Sequence, residues 1–102
     1  MARPRTELQA ILENVLGSSN VYFQPPESTK IQYPAIVYDV DSVFDFFADN
    51  RKYLYDKGYM VTYIDWDPDS EVLTKLLNLP MCSFIRHYEA DNLNHDIFLI
   101  YY

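Results

Sequence analysis

Tyr59-Met60-Val61-Thr62-Tyr63-Ile64-Asp65-Trp66-Asp67-Pro68-Asp69-Ser70-Glu71-Val72-Leu73-Thr74-Lys75-Leu76-Leu77-Asn78-Leu79-Pro80 is the stretch on which the fold turns. Its first seven residues are strand formers, β-branched or aromatic almost throughout, and they read as a central strand. Asp67-Pro68 then has the signature of a helix start, with Asp as N-cap and Pro at the first helical position. Asp69 and Glu71 suit the positive end of the helix macrodipole. Val72, Leu73, Leu76 and Leu77 supply one apolar face, and Pro80 stops the helix. A strand followed by an amphipathic helix therefore sits at the centre of the chain.

Working outward, Cys82–Glu89 reads as a further strand, Ala90–Asn94 as a turn and Asp96–Tyr102 as a last strand. Ile97-Phe98-Leu99-Ile100-Tyr101-Tyr102 is apolar on both faces, so cover on both sides is expected. Towards the N-terminus, Leu8, Ile11, Leu12, Val15 and Leu16 fall on one helical face. Thr6 and Gln9 have capping-box spacing, and Gly17 stands where a helix terminates, which predicts a helix over Glu7–Leu16. Val21–Gln24 is a brief edge strand or extended arm before Pro25-Pro26, and Pro34–Val40 a longer strand. In residues 41–57, Val43, Phe44, Phe46 and Phe47 fit either a short helix or a continued strand. The order is α-β-β-β-α-β-β, an α+β two-layer sandwich whose mainly antiparallel (mixed) sheet carries two helices on one face.

The chain of 102 residues is sized for a single domain spanning residues 1–102. Seventeen per cent of it is aromatic, which excludes intrinsic disorder. No apolar run is long enough for a bilayer helix, and Met1–Glu7 has no hydrophobic leader segment. Fifteen acids against eight Lys+Arg leave a formal charge of −7, and the cations are scattered, so phosphate gripping is not expected. Cys82 is the one cysteine, which suits a reducing compartment.

Candidate chemistry is sparse. Asp65, Asp67 and Asp69 imitate a calcium loop, but Ser70 and Leu76 replace the glycine and glutamate that loop needs, so no metal is assigned. His87 and His95 flank the presumed turn with Glu89, Asp91 and Asp96 nearby, short of the three or four placed ligands of a zinc site. No G-x-S-x-G or phosphate loop is present, and no cofactor is expected. The unusual feature is ten tyrosines. Tyrosine buries a ring while keeping its hydroxyl wet, so Tyr53, Tyr55, Tyr59, Tyr63, Tyr101 and Tyr102 are candidate subunit contacts, the alternative being a tyrosine-coated outer sheet face.

Three segments carry a family likeness: Leu16–Pro26 leading to Tyr33-Pro34-Ala35-Ile36-Val37-Tyr38; Ala48-Asp49-Asn50-Arg51-Lys52-Tyr53 leading to Tyr59–Ser70; and Ala90–Asp96 running into the last strand. They resemble small structural proteins of tailed bacteriophages, and the element order is similar to that of tail terminator (tail completion) proteins of long-tailed phages. The resemblance implies a ring, typically of six copies, that ends the tail tube and meets the head–tail connector. Its partners would be itself, the tube protein and the connector. It implies residence in the virion tail or neck, with assembly in the host cytoplasm. Sheet edges and tyrosine faces would make the ring contacts. Excess acid would partly line the lumen, so that DNA passes without adhering. No catalytic residue is implied, so the protein is not expected to be an enzyme. Alternatives are another neck protein (head closure or a minor tail protein), a small-ligand or regulatory module on a ferredoxin-like sheet, or a metal enzyme built on His87 and His95.

Overall fold

The computed structural model describes residues 4–40, 58–80 and 82–102. The readings of Val43, Phe44, Phe46, Phe47, Tyr53 and Tyr55 lie outside them. Among the described residues, seven elements follow in the expected order: α1 (Arg5–Leu16), β1 (Val21–Phe23), β2 (Ala35–Val40), β3 (Gly58–Asp65), α2 (Glu71–Leu77), β4 (Cys82–Ala90) and β5 (Leu93–Tyr101). The strands make one mixed sheet in the order β1-β2-β3-β5-β4. Only β1 and β2 are parallel neighbours; the other pairs are antiparallel. The strand β3 runs the same way as β4, which is why a helix must carry the chain from one to the other. Between them lies β5, returned from β4 by a tight turn. Asp91 and Asn92 both have positive φ, 53° and 64°, as a two-residue type I′ hairpin requires. The turn is thus shorter than the five residues expected, because both of its residues tolerate the left-handed region.

Register places Ile36, Tyr38, Tyr59, Val61, Tyr63, Phe98 and Ile100 on one sheet face. Leu8, Leu12 and Val15 of α1 and Leu76 of α2 join them in one buried cluster. Both helices therefore cover the same face. On β5 burial alternates, with Phe98 and Ile100 buried and Ile97 and Leu99 half-buried, so the outer face is less enclosed than the apolar run implied.

Both helix starts differ from expectation. The first helix begins at Arg5 after Pro4, whose carbonyl accepts the Glu7 N–H at 3.0 Å, and no side chain caps it. Its end is as expected: Gly17 sits at φ 83° and donates to the Glu13 carbonyl at 2.8 Å. The second helix starts at Glu71 with Ser70 as N-cap, not at Asp67. The cause is local competition. Asp65 Oδ1 accepts the Asp67 N–H at 3.1 Å and Asp67 Oδ1 accepts the Asp69 N–H at 2.9 Å, so two successive turns consume the carboxylates before the helix begins.

Candidate interaction surface

The tyrosines singled out as contacts divide by sheet face. Tyr59 and Tyr63 are 2% and 1% exposed, and Tyr102 is also buried, so these rings belong to the core and are not available to a partner. Tyr101, opposite Gly58, is half-buried on the outer face. The correction has a physical reason. Tyr59, Val61 and Tyr63 alternate along β3, so all three face the helices, and the Tyr63 phenol oxygen finds its partners inside. The Tyr63 hydroxyl donates to Asp65 and lies 2.8 Å from Ser70 Oγ, which in turn accepts the Val72 N–H at 3.2 Å. Burial is the main cause pushing the Tyr63 phenol well above its ordinary value, and the bond to Asp65 adds to it.

The histidines do not converge. Register puts His87 opposite Asp96 on the inner face and His95 opposite Tyr88 on the outer face. His87 Nδ1 lies 2.7 Å from Asp96 Oδ1, and the His95 ring stacks on Tyr88 with centroids 4.6 Å apart. Among the described residues no group of three or more His, Cys, Asp or Glu is placed to hold a metal. Cys82 is half-buried, and burial pushes its thiol up, away from the reactive thiolate. A hollow lined by Leu8, Ile11, Leu79, Pro80, Ile100 and Tyr102 encloses about 50 Å³, far below the volume that holds a metabolite-sized ligand.

What stands open is an edge. The two ends of the sheet are treated differently. At β1, Asn20 and Gln24 bond to β2, so the Val21 carbonyl points away from the sheet, and there it accepts the Gln9 side-chain amide at 3.0 Å. The same Gln9 accepts the Tyr38 hydroxyl at 2.5 Å and donates to Glu13 at 3.0 Å. Three residues long and covered by α1, β1 is a closed edge. Gln9→Ala should therefore leave the Val21 carbonyl without this donor and the Tyr38 hydroxyl, which still accepts from Arg5, without its acceptor. About 1–3 kcal/mol of stability should be lost in chemical denaturation; a loss below about 0.3 kcal/mol would mean α1 does not close this edge.

At the other end β4 offers nine residues, and Ser83 to Glu89 are all exposed. Phe84 is 48%, Ile85 46% and Tyr88 38% exposed. A β-bulge between Phe84 and Arg86 breaks the register with β5, leaving Cys82–Phe84 and the longer Arg86–Ala90 as separate regular stretches. On the outer face the Arg86 guanidinium lies 5.1 Å over the Tyr88 ring, which is itself stacked on His95, so this part of the edge is pre-organised. Trp66, 59% exposed, stands on the β3–α2 loop with its ring 6.2 Å from Tyr33. Sequence reasoning took β4 for an ordinary strand. The usable signal was the run Phe84-Ile85-Arg86-His87-Tyr88, whose apolar and charged residues do not alternate as a half-buried strand demands. Comparison of the chain with protein-family models, with curated proteins and with solved structures finds no match in any of the three.

Proposed function

We propose that this protein is a virion structural subunit of the tail terminator (tail completion) kind, which forms a ring with copies of itself, ends a phage tail tube and mates with the head connector. It acts by contact and transforms no substrate. The observation that carries the reading is the open, partly apolar β4 edge on an otherwise acidic chain. A strand edge that no described strand pairs with, carrying exposed Phe84, Ile85 and Tyr88, is a template for another polypeptide. The resemblance of Leu16–Pro26, Tyr59–Ser70 and Ala90–Asp96 to phage tail and neck proteins supplies the kind of assembly. The net charge of −7 suits a passage through which DNA slides without adhering.

The test is tube growth. Purified protein added to polymerising tail-tube subunits should cap tube ends with a ring visible by electron microscopy and halt elongation. Tubes that elongate unchanged, with uncapped ends at excess protein, would refute the reading.

A further inference from the structure

We infer that, before assembly, the β4 edge is stored against the β4 edge of a second copy, in an antiparallel pair about a two-fold axis at Tyr88. This deepens the proposed assembly role and rests on it. Three features of the subunit lead there.

First, one edge of the sheet is closed and the other is open. Because Gln9 caps the Val21 carbonyl at β1, edge-to-edge pairing between copies has, among the described strands, only β4 to use. A contact of a surface with itself is isologous and closes at two copies. An assembly subunit gains from that, since a closed pair cannot grow into a fibre before a tube end is met.

Second, the strand is locally neutral. Across β4, Arg86 and Glu89 offset each other, whereas the whole chain carries −7. Acidic copies repel over most of their surface, and this edge is where they can approach.

Third, charge chooses the register. Opposed residues of an antiparallel pair share a sheet face. Along the regular stretch, Arg86 and Tyr88 lie on the outer face and His87 and Glu89 on the inner face. Centring the axis on Arg86 sets arginine against arginine, and centring it on His87 sets histidine against histidine. Centring it on Tyr88 places Tyr88 against its own copy and His87 against Glu89 twice. The Asp96 carboxylate already holds His87 Nδ1 at 2.7 Å, so the ring is oriented with Nε2 left to meet a second carboxylate. The bulge at Phe84–Arg86 confines the pair to the five residues Arg86–Ala90, which makes it a small, reversible contact that tube binding can replace.

Sedimentation of the whole chain over rising concentration tests this, with two variants. Wild-type protein should pass from monomer to dimer and stop there. Glu89→Lys replaces the acceptor opposite His87 with a donor in both inner pairs and should weaken the dimer roughly tenfold. Glu27→Lys, an exposed site on the β1–β2 loop, changes net charge equally and should leave the dimer intact or slightly tighter. Tyr88→Cys in a Cys82→Ser background should give a disulfide-linked dimer on mild oxidation, whereas Ser83→Cys in that background should not. Protein that stays monomeric at sub-millimolar concentration, or equal weakening by both lysine variants, or crosslinking at Ser83 and not Tyr88, would overturn the pairing. The tube assay is read separately: a monomer that still caps tubes defeats this inference alone, and a β4 dimer that never touches a tube defeats the proposed function alone.

Discussion

Phe98→Ala should cost about 3–5 kcal/mol of folding stability. Phe98 has no exposed surface and lies on β5, a strand held on both sides. Val61 stands opposite it on β3 and Phe84 opposite it on β4, with the two phenylalanine rings 5.5 Å apart. A cavity opened there cannot collapse by moving the strand, because β5 is hydrogen-bonded to both neighbours. Natural domains are stable by only about 5–15 kcal/mol, so the variant should approach unfolding at physiological temperature. Phe84→Ala removes a ring of the same size from a site 48% exposed and should cost under about 1 kcal/mol. The pair of denaturation midpoints is the measurement. Equal losses at the two positions would mean that the sheet order, with β5 inside and β4 outside, is wrong.

That contrast also marks what a local pattern can and cannot say. The alternation of Tyr59, Val61 and Tyr63, the helical spacing of Leu8, Leu12 and Val15, and Gly17 at a helix end are signals within one element, and the fold honours them. Start points failed where side chains had a nearer use. Asp65 and Asp67 turned their carboxylates onto backbone amides two residues ahead, and the helix waited for Ser70. The contact readings of Tyr59, Tyr63 and Tyr102 failed for a different reason. Exposure of β4 follows from β5 inserting between β3 and β4, a choice of strand order that no single stretch encodes. Tyrosine count pointed the wrong way at Tyr59 and Tyr63, whose rings the helices cover, and at Tyr63 a buried acceptor makes the phenol as good a core residue as phenylalanine. The surplus aromatic surface lies on Phe84, Tyr88 and Trp66 instead.

Those buried phenols set the second large effect, an alkaline collapse steeper than that of a protein with exposed tyrosines alone. Burial pushes Tyr38, Tyr59 and Tyr63 above the ordinary tyrosine value near 10. At Tyr38 the nearby Arg5 guanidinium, donating at 3.0 Å, partly opposes the rise, and at Tyr63 the Asp65 carboxylate adds to it. A raised folded value means that the native state holds its proton after the unfolded chain has begun to release it. Stability from these groups is thus complete below about pH 10 and is lost as pH climbs from there through the folded values. Each contributes up to about 1.4 kcal/mol per pH unit between its unfolded and its folded value, so the fall is steepest where all three phenols still hold their protons in the native state. Phenolate absorbance and circular dichroism recorded on one titration should show a first wave of ionisation with the fold intact, then a second wave coincident with unfolding. Tyr63→Phe removes one of the three phenols and should make the collapse shallower, even though Asp65 loses its donor and the variant starts less stable at neutral pH. Should all ten tyrosines ionise in a single wave near pH 10 while the dichroism holds, the phenols of Tyr38, Tyr59 and Tyr63 would have to be reached by water, and the helix-covered face of the sheet could not be the core.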